Sequence, residues 1–289
     1  EDPAALAHLS DHGYVVIRDV LTNAEVSTAH DHLWRFLSDT IGWKRGDMHS
    51  WNPDGLRQIG LPWAGIVKAG GAGQSDFVWY VRTLPAVRKV FARIWRTENL
   101  LSSFDGFNIF LPWHHGLRFR KTESSWLHAD QGVQKQGLHT IQGFVALTDQ
   151  DASTGGLLVV PGSHHLHEQW VNTDRDFVLV SEESPLQKLP QKLVACKSGD
   201  IVLWDSRCVH CNTPAVKQPI SPEGELLRVC VYTCMVPRSA ADGEILRARR
   251  EAYERGMSCN HWPFIRETDL VMFDNCSPNF IVRNLEEAE

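Results

Sequence analysis

His128 and Asp130 stand two residues apart in the run Trp126-Leu127-His128-Ala129-Asp130. On a β-strand, side chains at i and i+2 point to one face, so an imidazole and a carboxylate would project together. One further histidine from another strand would complete a two-histidine, one-carboxylate set. Such a set grips a divalent metal from one side and leaves positions open for reactants. The third ligand is expected at a strand end far downstream. His210 stands there, just after the apolar run Ile201-Val202-Leu203-Trp204. Taken alone, a His-x-Asp pair also fits two hydrogen-bonded surface residues, and 14 histidines make chance pairs expected.

Arg228 carries the second chemical signal. Its neighbours Leu226, Leu227, Val229 and Val231 are apolar, so the strand it opens reads as buried. A guanidinium in such surroundings needs an anionic partner, because an unpaired buried charge costs several kcal/mol. The far carboxylate of 2-oxoglutarate would meet it bidentately. An internal Asp or Glu would serve as well.

These groups need a scaffold of short strands. From about Phe104 the pattern turns to candidate strands with turn punctuation: Phe104–Leu111, Thr140–Leu147, Gly156–Val160, Ile201–Trp204 and Arg228–Met235. Their spacing and the turns at Pro161-Gly162-Ser163 and Ser198-Gly199-Asp200 predict a sandwich or barrel. Upstream, Gly13–Ile17 reads as a short strand. Thr22 with Glu25 has the form of a capping box, and Val26, Ala29, Leu33, Phe36 and Leu37 share one helical face. Pro85 opens a second helix. Residues 43–76, rich in Gly, Trp and Pro, read as a long loop or lid. A charged helix is expected from Asp242 to Arg255. The simplest organisation is one domain over 1–289. It has a helical part at about 1–100, a β core at about 101–236 and a C-terminal helical extension at 237–289.

The bulk properties narrow the function classes. Hydrophobic residues make up 43% and charged residues 22%, an ordinary globular balance. A net charge of −6 offers no basic face for nucleic acid. No apolar run reaches the length of a membrane span. Seven cysteines, an odd number clustered late in the chain, suit reduced thiols in an intracellular, soluble protein better than a disulfide framework.

Several stretches in order resemble the phytanoyl-CoA dioxygenase (PhyH-like) family of Fe(II)/2-oxoglutarate-dependent oxygenases. His12–Leu21 is similar to that family's opening strand and helix. Thr154–His164 resembles its Gly-rich strand ending in a Pro-Gly-Ser-His turn, and Gly199–Arg207 leads into His210 as in the family's approach to the distal histidine. The resemblance implies a mainly β fold with flanking helices, a double-stranded β-helix of the jelly-roll or cupin type. It also implies Fe(II), 2-oxoglutarate and O2 as cofactors, with the metal on His128, Asp130 and His210 and the cosubstrate on Arg228.

The same resemblance puts Phe144 against 2-oxoglutarate, where relatives often carry Trp. Strand alternation turns Gln142 to that face. Asn108, on the strand before the metal pair, and Asn212, two residues past the distal histidine, are further candidates for cosubstrate contact. Two departures from the family stand out: Asn212 replaces a common hydroxyl, and the stretch from His210 to Arg228 is long. The segment Lys217–Gly224 has loop composition and accounts for the extra length as an insertion. Arg238, the next arginine, falls beyond the strand. Halogenating relatives lack the carboxylate, so Asp130 points to hydroxylation or desaturation.

Trp51, Trp63, Trp79 and Gln131 are candidates for the substrate pocket, with Trp43 beside them, and the expected substrate is a small, partly apolar molecule. Cys208-Val209-His210-Cys211 has no matching second pair for a closed zinc site. His114-His115 and His164-His165-His167 read as polar turn residues. Two rivals remain: a metal- or ligand-binding barrel without turnover, and a zinc hydrolase using the same ligands.

Overall fold

A computed structural model describes residues 3–116 and 119–264. In chain order the strands are β1 (Tyr14–Ile17), β2 (Gly60–Leu61), β3 (Ile66–Val67), β4 (Leu100–Ser102), β5 (Phe107–Phe110), β6 (His128–Ala129) and β7 (Ile141–Ala146). They continue with β8 (Gly155–Val159), β9 (Val178–Leu179), β10 (Lys192–Leu193), β11 (Ile201–Asp205), β12 (His210–Pro214), β13 (Arg228–Tyr232) and β14 (Met235–Pro237). The helices are α1 (Pro3–His12), α2 (Asn23–Ile41), α3 (Pro53–Ile59), α4 (Asp76–Thr83), α5 (Pro85–Trp95), α6 (His167–Trp170) and α7 (Gly243–Glu254). One sheet runs β1-β11-β7-β13-β5-β3-β2, a second runs β10-β8-β12-β6-β9, and β14 pairs β4 apart from both. All of these pairings are antiparallel. The fold is the mainly β, helix-flanked double-stranded β-helix that the sequence predicts.

The large sheet is buried on both faces, and its residues sort by period two. Ile141, Val145, Ile201, Leu203, Val229, Val231, Phe107 and Ile109 join the core shared with the helices. Their alternates Phe144, Ala146, Val202, Trp204 and Cys230 face the barrel interior. The same alternation turns Gln142, Asn108 and Arg228 inward, so polar groups reach the interior without breaking the strands. One register step would send every one of them into the helical core.

Helix α2 covers the outer face. Its N-cap Thr22 accepts from the Glu25 N–H while the Glu25 carboxylate accepts from the Thr22 N–H, the expected capping box. Gly42 ends it at φ 76°, the left-handed conformation that glycine adopts without strain. Helix α5 starts at Pro85 and α7 follows Asp242, which caps it by accepting from the Glu244 and Ile245 N–H groups.

Two expectations are corrected. Residues 43–76 are not a loop or lid: they hold α3, β2, β3 and the start of α4, and Trp43 and Trp51 are fully buried there. Trp51 stacks between Trp34 and Trp43, with ring centroids 5.3 and 5.9 Å away. Burying that much aromatic surface outweighs the turn-forming Gly and Pro content of the segment. The strand expected over Arg228–Met235 divides at Thr233-Cys234, with β14 leaving the barrel to pair β4. Residues 265–289 of the expected C-terminal extension lie outside the described residues. Among the described residues, no helix is long and apolar enough to cross a membrane.

Strand β3 reaches β5 because Gly106 has no side chain. A Cβ there would lie 1.7 Å from the Val67 carbonyl oxygen, a backbone atom that cannot step aside. Gly106→Ala is expected to cost about 1–3 kcal/mol, the range for a forced overpacking, seen as a lower midpoint in thermal unfolding.

Candidate active site

Strand β6 is only two residues long, yet both neighbours hold it: His128 pairs with His210 of β12 and with Leu179 of β9. Asp130 follows at once, its N–H donating to the Ser206 carbonyl at 2.9 Å. The ligand atoms of His128, Asp130 and His210 all lie within 4.8 Å of one another. His128 Nε2 is 3.5 Å from Asp130 Oδ1, and His210 Nε2 is 3.3 Å from Asp130 Oδ2. Adjacent ligands about 2.1 Å from one metal stand roughly 3 Å apart, so the three groups suit a shared divalent ion after a slight contraction.

The backbone sets the donor atoms. His128 Nδ1 lies 3.1 Å from the Trp126 carbonyl and His210 Nδ1 lies 2.8 Å from the Cys208 carbonyl. A carbonyl can only accept, so the proton sits on each Nδ1 and each Nε2 presents its lone pair to the centre. Burial holds the His128 imidazole below its ordinary value, with Asp130 opposing. Burial alone would raise the Asp130 carboxyl, but the His128 imidazole beside it holds it well below the usual range. An ionised carboxylate with a neutral imidazole is the protonation state that binds metal. Gln142 Nε2 donates to Asp130 Oδ2 at 3.0 Å and fixes the carboxylate's orientation.

Arg228 is fully buried on β13. Its Nε donates to Gln150 Oε1 at 2.8 Å, and Nη1 donates to Asn108 Oδ1 at 2.7 Å and Asn212 Oδ1 at 3.1 Å. The guanidinium carbon lies 4.9 Å from the Phe110 ring centre and 5.1 Å from that of Phe144. No carboxylate among the described residues forms an ion pair with it. The internal Asp or Glu partner that the sequence left open is therefore not seen among them.

A cavity of about 430 Å³ joins the two halves. The metal triad, Gln142, Phe144, Asn212 and Arg228 all line it, together with Trp63. Asn108 stands behind Arg228 and also donates to the Tyr232 hydroxyl at 3.2 Å. Residues 217–224 lie in the turn-rich connection between β12 and β13. The extra length thus leaves Arg228 on its strand, and Arg238 is outside the cavity.

Three proposed pocket residues lie elsewhere. Trp51 is in the buried tryptophan stack. Trp79 packs edge-on against Phe104 and Tyr253 and donates to Gln74 Oε1 at 2.8 Å. Gln131 accepts from the Ser206 hydroxyl at 2.7 Å and donates to the Gly137 carbonyl at 2.9 Å, tying down the loop after the metal pair. Asp130 and Gln131 follow the end of β6, and these bonds hold Gln131 in the loop, outside the cavity lining.

Conversely, Asp105, Gln150, Tyr232 and His261 belong to the site or its support and carry no motif in the sequence. Tyr232 was legible as an interior residue by alternation from Arg228. The others depend on tertiary approach.

Residues 111–214 match the profile of the family described as Phytanoyl-CoA dioxygenase (PhyH). Over these residues the chain is similar to that family. The match takes in His128, Asp130 and His210 and ends before Arg228. The "Ava biosynthesis cluster protein O" of Aspergillus versicolor is 25% identical over 280 residues, covering 90% of this chain and 85% of that protein. Among solved structures, SnoK is a non-heme alpha ketoglutarate dependent carbocyclase from nogalamycin biosynthesis. It superposes with a TM-score of 0.56 at 18% identity, over 82% of this chain and 84% of its own. EctD from S. alaskensis, solved with 2-oxoglutarate and 5-hydroxyectoine, gives a TM-score of 0.54 at 17% identity over 83% and 77%. These likenesses establish the shared fold.

Cys208 and Cys211 stand on either side of His210 in the chain, outside the cluster of ligand atoms formed by His128, Asp130 and His210. Burial pushes their thiols up to about 12 and about 11. Iodoacetamide at pH 8 should leave both unmodified in the native protein, as read by peptide mass spectrometry. Alanine at His128, Asp130 or His210 should weaken Co(II) binding at least tenfold in a spectroscopic titration. Gln142→Ala, which removes only the support of Asp130, should weaken it by about 10–100-fold.

Proposed function

We propose that the protein is a non-haem Fe(II)/2-oxoglutarate-dependent oxygenase that oxidises a C–H bond of a small, partly apolar substrate. Arg228 carries this reading: a buried guanidinium, answered among the described residues by neutral amide oxygens, at the wall of the cavity that holds the three metal ligands. A dicarboxylate bound to the metal by one end would bring the missing negative charge to the other. SnoK, SnoN and EctD, which share the fold, are each described with alpha ketoglutarate dependence or bound 2-oxoglutarate.

When bound, Fe(II) with 2-oxoglutarate and dioxygen supplies the oxidising power. The balance is one substrate C–H, one O2 and one 2-oxoglutarate giving an alcohol, succinate and carbon dioxide. The chain's own residues bind and orient. His128, Asp130 and His210 would hold the metal on one side, and Gln142 would keep the carboxylate aligned. Arg228 would fix the remote carboxylate of the cosubstrate, with Phe144 against its carbon chain and Asn212 and Asn108 holding the guanidinium still. Phe144, Trp204 and Leu157 make the inner wall apolar, which excludes water from the reacting groups. Hydroxylation is the proposed outcome. SnoK and SnoN are described as a carbocyclase and an epimerase, so the same cofactors serve other oxidations on this fold.

A zinc hydrolase would use the same three ligands but has no task for Arg228. A barrel that only binds would take up the cosubstrate without consuming it.

Under nitrogen, Fe(II) followed by 2-oxoglutarate should produce a saturable visible charge-transfer band. Asn212→Asp places a carboxylate where an amide oxygen now meets Nη1 at 3.1 Å. That internal counter-ion should raise the 2-oxoglutarate concentration for half-saturation at least tenfold while Fe(II) affinity stays within about twofold. No band in the wild-type protein despite tight metal binding would overturn the oxygenase reading.

A further inference from the structure

Beyond the metal and Arg228, the cavity wall divides by chemistry. One part is aromatic and open. Trp126 stacks on the His128 ring with centroids 4.8 Å apart and planes 8° apart, and Trp63 meets Trp126 edge-on at 5.2 Å. Phe177 lies 4.5 Å from the His128 ring. Trp63 and Phe177 remain 38% and 50% exposed, an apolar area beside the metal site that the described residues leave open.

The other part is polar. Asp105 and His261 both line the cavity. Asp105 is only 9% exposed, and its single side-chain bond is Oδ1 accepting from the Gly106 N–H at 2.7 Å. Its second oxygen has no partner among the described residues. His261 Nε2 is shielded from solvent and likewise has no hydrogen-bond partner. The two residues come from distant parts of the chain and meet at one cavity, where Asp105 is among the charged groups acting on the His261 imidazole. The Cys259 N–H donates to the Phe104 carbonyl at 2.8 Å, and the Gly73 N–H donates to the Ser258 hydroxyl at 2.7 Å. Burial keeps the His261 imidazole below its ordinary value, opposed by Asp130, Asp105 and Asp176.

A carboxylate oxygen and a shielded imidazole nitrogen, both without partners among the described residues and both at a cavity whose lining is partly aromatic, are groups that a ligand would satisfy. The other acids of the site are already engaged: Asp176 accepts from Lys135 Nζ at 2.8 Å, and Asp130 belongs to the triad. We infer that Asp105 and His261 form the specificity pair of the substrate site. They receive a hydroxyl group on a flat, apolar molecule whose body lies against Trp63, Trp126 and Phe177. The hydroxyl would donate to Asp105 and exchange a second hydrogen bond with His261 Nε2, fixing which C–H bond faces the metal. The inference rests on the oxygenase reading for the chemistry, and on the cavity alone for recognition.

The test compares 2-naphthol with 2-methoxynaphthalene, which share one flat body and differ in the hydroxyl donor. Both are measured by equilibrium dialysis against protein holding Fe(II) and 2-oxoglutarate under nitrogen. The wild type should bind 2-naphthol at least about tenfold more tightly. In Asp105→Asn and in His261→Phe the preference should fall below about threefold, with the ether's affinity and the charge-transfer titration unchanged. The unchanged titration shows that each variant is folded. A preference kept in both variants, equal binding of the two probes by the wild type, or binding of neither would overturn the inference. Loss of the charge-transfer band in the same wild-type sample would instead strike the oxygenase reading.

Discussion

Arg228 is a permanent positive charge with no measurable exposure, held between two aromatic rings by three amide oxygens. The amides stabilise the guanidinium by hydrogen bonding but leave its charge uncompensated, a state that a folded interior supports poorly. Much of the surrounding architecture keeps that charge in place and keeps carboxylates away from it. Asn108, Gln150 and Asn212 each supply an acceptor where an Asp or Glu would have neutralised the site. An anion-binding pocket built this way depends on such restraint.

The amides are themselves oriented. Asn108 and Asn212 both donate their Nδ2 to the carbonyl of Ala64, at 2.9 and 3.2 Å, which turns both Oδ1 atoms toward Arg228. Ala64 lies on the turn between β2 and β3, next to Trp63 in the open cavity wall. The hairpin that presents an aromatic face to the substrate side thus also aligns the cosubstrate side. This explains why residues 43–76 are built as packed structure: a mobile lid could not hold two side chains in register. It also gives the bare backbone of Gly106 a purpose, since β3 must lie close against β5 for the Ala64 carbonyl to reach Asn108.

At the other end of the cavity, backbone carbonyls do comparable work. The Trp126 and Cys208 carbonyls set the protonation of the two histidine rings, and Gln142 sets the carboxylate. A site made on strand ends needs such fixing, because β6 has only two residues and little rigidity of its own. Its neighbours β9 and β12 supply the stiffness.

The sequence by itself determined the periodic part of this protein. Alternation along Ile141–Ala146, Ile201–Asp205 and Arg228–Tyr232 decided which side chains face inward. With it came the placing of Gln142, Phe144 and Arg228 on one wall. The His128/Asp130 spacing and the strand-end position of His210 were equally legible, because two-residue periodicity is a local property of the backbone. The capping box at Thr22 and the start at Pro85 were local signals too. What only the tertiary structure decided were contacts between segments far apart in the chain. Trp51 and Trp79 have the composition of pocket residues, yet core packing claimed them, since burial of an indole is favourable wherever space allows. The meeting of Asp105 and His261 at one cavity, the supporting amide of Gln150 and the doubly engaged carbonyl of Ala64 leave no pattern in sequence. Each arises from where one stretch of backbone comes to rest against another, and that is set by the packing of the whole domain.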